Sequence, residues 1–324
     1  MANSEAHHTL EVPSDKYPQP KLLLDKVDEQ PDLWRELREK KVSGSNIAVI
    51  CGLSPYKSQL QLWAEWTGKV KDEFRGNKAT QIGLALEPLV AQWYGERHGI
   101  EVTRANALYG DTEFEWLVCS PDYFLPDGTP VEIKTGNFRT AHKWEGGKAP
   151  YHYVLQLQLQ MRVLRKRRGV LTAYVGDLDQ FPDLTLEYDD GIWALMREQS
   201  EQFIECVQRD VPPAAGPGDA ALIREISGRV EGERRIYSEG EAALVLMLVE
   251  QIKHMQEASA KIRKELDALD REKKALENRV KQTLQQATVG ELPDGRVVKL
   301  TTVHIGEKVV APYSYERLTV PKVL

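Results

Sequence analysis

The stretch from Ser120 to Lys134, SPDYFLPDGTPVEIK, limits most strongly what this chain can fold into. Val131 and Ile133 alternate with Glu132 and Lys134, and a period of two is the signature of a strand. In such a strand the charged pair lies on one face and the apolar pair on the other. Pro126-Asp127-Gly128 supplies turn chemistry between two strands, which folds Asp122 back towards Glu132. Two carboxylates at strand ends with an ammonium beside them make a hard-oxygen site suited to Mg²⁺ or Mn²⁺. A metal of that kind lowers the pKa of a bound water and neutralises charge developing on a phosphate. Lys134 is then placed to orient or deprotonate that water. The bland alternative is a surface hairpin with a salt-bridged Glu and Lys. Acid-x-Lys alone is a weak signal, because it recurs at Glu39/Lys41 and Glu272/Lys274 in helical, solvated segments. The strand setting and the Asp that follows Pro121 set the central copy apart.

Composition narrows the class. With 324 residues and ordinary apolar content, the chain can bury a sizeable core and carry a module beyond one domain. A net charge of −6 gives no global basic signature, so any nucleic-acid contact has to be local. The three cysteines, Cys51, Cys119 and Cys206, are far apart and offer neither a disulfide framework nor zinc or iron–sulfur spacing. No apolar run approaches a membrane span, and the N-terminus lacks a signal-peptide pattern. The expectation is a soluble protein of a reducing cytoplasm that binds no membrane.

Residues 1–30 are polar and broken by Pro13, Pro18 and Pro20, which reads as a mobile arm; His7-His8 within it is a weak metal candidate. Pro31 to Lys41 reads as a short helix with Trp34, Leu37 and Arg38, and Ser43-Gly44-Ser45 follows as a cap or turn. A helix near 59–67 carries Trp63 and Trp66 as packing residues. The next helix, 80–98, sets a single acid, Glu87, among Ile82, Leu84, Leu86, Leu89, Val90 and Trp93. A lone acid on so apolar a segment calls for a partner or a metal, the alternative being an exposed Glu just before Pro88. Strands are expected at 101–109, 115–120 and 130–134. Residues 139–151 form a flexible basic loop with Arg139, Lys143, Trp144 and Lys148, suited to grip a phosphate backbone, or simply solvated. A helix over 151–164 brings Gln156 and Gln160 to one face. The cations that close it, Arg162 to Arg168, need no DNA to explain them, because a helix C-terminus favours positive charge. Strands at 169–175 and 183–188 and a helix at 190–210 complete a domain over 31–210. Residues 211–238 read as a linker. Residues 239–324 form a helical module in which Ile252, Ser259, Leu266, Lys273 and Val280 share one heptad position. Met255, Ile262, Leu269 and Leu276 share the other, a coiled-coil seam, and a small β-hairpin follows around Asp294-Gly295.

The order of these motifs carries a resemblance. A helix with Glu87 in Gly-x-x-x-Glu-Pro comes first; strand-borne Ser-Pro-Asp and Glu-x-Lys follow, then a helix with Gln-x-Gln. This resembles the PD-(D/E)xK nucleases and, within them, the YqaJ-like viral recombinase family that includes the lambda-type exonuclease. The stretch from Trp34 to Tyr56, ending Gly52-Leu53-Ser54-Pro55-Tyr56, is also similar to that family's opening motif. The resemblance covers roughly 31–210. It implies an α/β restriction-endonuclease-like core, a mixed central sheet flanked by helices, with the long C-terminal helix and hairpin as an extension.

The resemblance also implies roles. Asp122 and Glu132, with the backbone carbonyl of Ile133, would bind Mg²⁺ (Mn²⁺ as a substitute), and Glu87 would join them. Lys134 would position the attacking water and Gln156 would sit near the scissile phosphate. Ser45 and Ser120 match serines of a phosphate pocket, and Arg38 matches an arginine that holds a terminal 5′-phosphate. After Lys134, Thr135-Gly136 and a long Arg/Lys loop depart from the lambda-type continuation. The activity implied is Mg²⁺-dependent 5′→3′ digestion of linear double-stranded DNA, leaving 3′ single strands for a phage-type single-strand annealing protein. A homo-oligomer, a trimer by resemblance, in the bacterial cytoplasm and encoded by a phage or prophage, completes the picture. The alternatives are a metal-dependent endonuclease on the same fold and a non-catalytic scaffold that binds DNA ends.

Overall fold

A computed structural model describes residues 19–72, 76–228 and 232–299. The chain divides into two compact units, Met1–Arg229 and Val230–Leu324.

In the first unit, β1 (Lys21–Asp25) precedes α1 (Pro31–Arg38), a one-turn α2 (Ile47–Ile50), α3 (Gln59–Trp66) and α4 (Lys78–His98). Then come β2 (Thr103–Arg104), β3 (Ala107–Gly110), β4 (Val118–Cys119), β5 (Tyr123–Phe124) and β6 (Pro130–Gly136). The short α5 (Phe138–Ala141), α6 (Tyr151–Leu164), β7 (Arg168–Val175), β8 (Asp183–Glu187), α7 (Asp190–Gln208) and α8 (Ala220–Ser227) follow. A five-stranded mixed sheet has the order β2-β5-β6-β7-β8, with β6 and β7 parallel and every other pair antiparallel. A parallel pair needs a crossover, and α6 supplies it. A smaller antiparallel sheet, β1-β3-β4, delivers the chain to Ser120.

Alternation along β6 builds the two layers. Val131 and Ile133 pack with Val90, Ala91 and Tyr94 of α4. The opposite face of β7, Leu171, Ala173 and Val175, packs with Leu157 and Met161 of α6 and with Trp144. Glu132 and Lys134 therefore point to the α6 side, as a strand of period two requires. The β5–β6 turn is closed by Leu125 N–H to the Thr129 carbonyl at 2.9 Å and Gly128 N–H to the Leu125 carbonyl at 2.8 Å. Gly128 sits at φ +74°, where a side chain is strained, and a Cβ there would lie 2.6 Å from Lys166 Nζ.

Four expectations need correction. Residues 21–25 of the expected arm are a strand, because the Lys21-Leu-Leu-Leu run pairs with β3 and puts Leu24 into a small core with Leu108 and Val118. His7-His8 lies outside the described residues. The expected linker contains α8, whose Leu222, Ile223 and Ile226 pack on the main core. Asp219 at its start is buried and accepts from Ser58 Oγ at 2.7 Å and Gly216 N–H at 2.6 Å. The expected flexible basic loop is largely helical turns (α5, then 142–147), and Trp144 within it is a buried core residue. On α4, the core stripe is Val90, Ala91 and Tyr94 with Leu86 and Trp93, while Ile82, Leu84 and Leu89 are exposed.

The second unit is one long helix, α9 (Glu239–Leu284), and a hairpin of β9 (Val289–Glu291) and β10 (Val297–Lys299). Ser238 opens α9 with a reciprocal cap, its hydroxyl accepting from Glu241 N–H while Glu241 accepts from the Ser238 N–H. No residue of α9 is buried among the described residues. The heptad seam is open, with Met255, Ile262 and Leu269 about two-thirds exposed at 68%, 64% and 63%. Leu269, Leu276, Val280 and Leu284 line a groove of about 570 Å³ against Val298 of the hairpin.

Candidate active site

Glu132 is the centre of the arrangement. Its carboxylate is 1% exposed and takes three donors: Lys134 Nζ, Gln156 Nε2 at 2.6 Å and Gln160 Nε2 at 2.6 Å. The strand supplies the acid and the ammonium on one face; α6 crosses that face and supplies both amides, one helical turn apart. Gly44 makes room for this helix, since a Cβ there would meet Gln156 Cγ at 2.7 Å.

Asp122 reaches the same place from the residue just before β5. Its Oδ2 accepts the Ile133 N–H at 2.8 Å, so the turn folds the upstream acid onto β6 as expected. Burial raises the Asp122 carboxyl well above the usual carboxylate range, the Glu132 and Glu87 charges push it further, and Lys134 opposes. Glu87, half-buried on α4, is also raised, by burial first; Arg104 opposes and Glu132 adds to the shift. Burial works against the charge on Lys134, but Glu132 and Asp122 outweigh it and hold the ammonium above its ordinary pKa. Lys134 is therefore a cation and a donor, not a free base.

A cavity of about 250 Å³ joins these groups to a second cluster, lined by Glu87, Asp122, Gln156 and Gln160 together with Trp34, Arg38, Ser45 and Ser120. Arg38 donates to Ser45 Oγ at 2.9 Å and to Ser43 Oγ at 3.3 Å, and its guanidinium lies 4.1 Å from the Trp34 ring centre. Trp34 in turn donates its indole N–H to Ser120 Oγ at 3.1 Å. Burial depresses the Arg38 pKa, and its buried Nε has no hydrogen-bond partner among the described residues. A half-buried guanidinium held by hydroxyls and an indole ring has the donor geometry that suits an anion.

The structure thus gathers Glu87, Asp122, Glu132, Lys134, Gln156, Arg38, Ser45 and Ser120 around one cavity and its floor. Arg139, Lys143 and Lys148 are exposed and do not line it. Gln158, the second residue of Gln-x-Gln, faces elsewhere: it donates to the Glu187 carbonyl at 2.8 Å and accepts the Asp189 N–H at 3.0 Å. Gln160, on the same helix face as Gln156, joins it on Glu132. Arg104 and Asp28, ion-paired across 76 positions of sequence, also line the cavity. No local signal could have found that pair, whereas the position of Gln160 four residues after Gln156 was visible. The run Arg162 to Arg168 is structural: Arg162 and Arg165 pair with buried Asp111, and Arg168 with Asp127.

Among the described residues, no three His, Cys, Asp or Glu side chains converge into a ready-made metal cage. Glu132 is wrapped by donors instead. The donor set still fits a hard divalent cation. Burial first, and then the field of the neighbouring carboxylates, raise Asp122 and Glu87, and a cation relieves the cost of charging acids so placed.

Residues 33–168, which contain all of these groups except Asp28, match the family profile of the YqaJ-like viral recombinase domain. Over those residues the chain is similar to YqaJ-like viral recombinase domains. The chain is also 25% identical over 263 residues to the uncharacterized protein YqaJ of Bacillus subtilis strain 168, across 80% of each chain. Two crystal structures of LHK-Exo, an alkaline exonuclease from Laribacter hongkongensis, are 23% identical, with TM-scores of 0.49 (the complex with dAMP) and 0.48. Each is covered over 98% of its length by 61% of this chain. A phage-related exonuclease from Haemophilus somnus 129PT is 14% identical, with a TM-score of 0.43, 55% of this chain matching 98% of that one. The matched residues lie wholly within the first unit. Among the described residues no helix is long and apolar enough to cross a membrane.

Proposed function

We infer that the chain is a metal-dependent deoxyribonuclease, a 5′→3′ exonuclease on linear double-stranded DNA. The observation that carries this reading is the convergence on Glu132 of Lys134, Gln156 and Gln160, beside a cavity that Gln156 and Gln160 line together with Glu87, Asp122 and an Arg38 that forms no ion pair among the described residues. Phosphodiester hydrolysis needs an oriented water, compensation of phosphate charge and help for the leaving oxygen. Glu87, Asp122, Glu132 and the Ile133 carbonyl would hold Mg²⁺, or Mn²⁺ in its place. Bound there, such a cation polarises the phosphate and lowers the pKa of water.

The chain's own groups do the rest. Lys134, charged and fixed by Glu132, donates to the attacking water or to a phosphate oxygen and stabilises charge as it develops. Gln156 has one amide hydrogen on Glu132 and a second to offer the scissile phosphate. Arg38, with Ser45 and Ser120, receives the terminal 5′-phosphate and so fixes which bond reaches Glu132. Stripping one strand from its 5′ end leaves a 3′ single strand, the substrate of a single-strand annealing protein. Arg139, Lys143 and Lys148 lie on an exposed basic segment that suits the path of the duplex. Self-association, as a trimer by resemblance, and a phage or prophage origin in a bacterial cytoplasm belong to the same proposal. The test is nucleotide release from linear duplex by the full chain and by Asp122→Asn. Release that needs a divalent cation, stops with chelator and is lost in the variant is expected. Release that persists in chelator, or DNA left intact with metal present, would contradict the reading.

A further inference from the structure

The motif Gly52-Leu53-Ser54-Pro55-Tyr56 is not used by the chemistry above, yet it holds a large aromatic ring in water. Tyr56 is 79% exposed, so it adds little to any core. The loop that presents it is nevertheless tied down. Gly52 takes φ +68°, Leu53 N–H donates to the Ala48 carbonyl at 2.8 Å and Tyr56 N–H donates to Ser54 Oγ at 3.2 Å. Lys57, the next residue, pairs at 2.6 Å with a Glu65 carboxylate that is itself 7% exposed. Pro55 removes one further backbone freedom. An exposed ring on a fixed loop is pre-organised to meet a partner.

The ring's neighbours lead inwards to the site. Tyr56 stands edge-on to His152, centroids 5.7 Å apart at 90°, and His152 lies 4.1 Å from Tyr153. Tyr153 is backed by buried Trp144 at 6.0 Å, and the Lys134 ammonium sits 5.0 Å from its centre. Lys134 is the donor to Glu132. Burial and the neighbouring Lys143 and Lys134 lower the His152 pKa, so its ring is a neutral surface at pH 7. Its Nε2 has no hydrogen-bond partner among the described residues. A line of π-faces flanked by ammonium groups, starting at the carboxylate site and ending in solvent, is the pattern that holds unpaired bases.

We propose that Tyr56, with the His152–Tyr153 pair behind it, is a stacking platform for an unpaired nucleobase next to the scissile phosphate. The platform recognises the π-face of any base and holds the frayed strand while the phosphate enters the cavity. This rests on the deoxyribonuclease reading.

The test uses the full chain, Tyr56→Ala and Tyr56→Phe, with duplex DNA carrying 2-aminopurine in its 5′-terminal nucleotides. Binding is followed by fluorescence without divalent cation, and cleavage with Mg²⁺. The wild type and Tyr56→Phe are expected to quench the probe by stacking. Tyr56→Ala is expected to lose the quench and raise Kd and KM about tenfold, with kcat little changed. Equal quenching and KM in wild type and Tyr56→Ala, while both cut DNA, would overturn the platform and leave the nuclease standing. A Tyr56→Phe as impaired as Tyr56→Ala would assign the residue to a hydroxyl contact and overturn it too. A wild type that neither binds nor cuts DNA would remove both.

Discussion

Gln160 separates a role in the site from a role in stability. Its Nε2 donates to Glu132 Oε2 at 2.6 Å, while its own buried Oε1 has no partner among the described residues. A hydrogen bond to a charged group contributes about 1.5–3 kcal/mol, and a buried unsatisfied acceptor costs about 1–3 kcal/mol. In Gln160→Leu both disappear. The two largely offset each other, and folding stability should shift by no more than about 2 kcal/mol. The Glu132 carboxylate, however, loses one of three donors that fix it. If that positioning is worth about 1.5–3 kcal/mol in the transition state, kcat falls about 10- to 100-fold, since each tenfold in rate corresponds to about 1.4 kcal/mol. Denaturant midpoints and single-turnover rates on linear duplex measure the two quantities on one preparation. A loss of stability above about 3 kcal/mol with an unchanged rate would refute the reasoning, because Gln160 would then be an ordinary core residue.

Other substitutions probe the remaining parts. Lys134→Ala should lower cleavage by at least about 100-fold while DNA affinity, measured by filter binding, changes little; retained turnover would remove Lys134 from the chemistry. Asp127 is held at about 2, because hydrogen bonds from Thr129 and Arg168 outweigh its burial. A depressed carboxylate stabilises fully above about pH 4 and loses that contribution as pH falls through about 2. The pair is half-exposed, so Asp127→Ala should cost less than about 1 kcal/mol at pH 7 and progressively less as pH falls from about 4 to below about 2, read by thermal melts across that window. Deleting residues 230–324 should spare cleavage and weaken self-association in sedimentation, through loss of the open α9 seam; loss of cleavage in a folded truncation would place that module in the catalytic assembly.

The parts of the fold that were legible in the sequence are those set by local periodicity. Alternation at Val131–Lys134 fixed which way β6 faces, and Pro126-Asp127-Gly128 fixed the turn that returns Asp122 to it. Helix α6 was recognisable despite its alternating glutamines because Val154, Leu157, Met161 and Leu164 keep a helical stripe. Long-range pairing was not legible. Strand β1 exists only because β3, more than eighty residues away, offers it an edge, and the Arg104–Asp28 pair spans a similar distance. Trp144 looked like a free aromatic in a basic loop, since nothing local reveals that Met161 and Tyr153 cover it. Gln160 was visible as a helical neighbour of Gln156, but nothing local reveals that it shares the Glu132 carboxylate with Gln156, while Gln158 accepts the Asp189 N–H at the start of α7.

The central claim is a 5′-end-dependent nuclease whose Arg38 pocket reads a terminal phosphate. Its most direct test is digestion of end-labelled linear duplex, 5′-phosphorylated or 5′-hydroxyl, beside the same DNA as a covalently closed circle, with Mg²⁺. Loss of the linear forms alone is expected, beginning at the 5′ label, faster with the phosphate, and with that advantage abolished in Arg38→Ala. Cutting of the closed circle, or release that begins at the 3′ end, would contradict it.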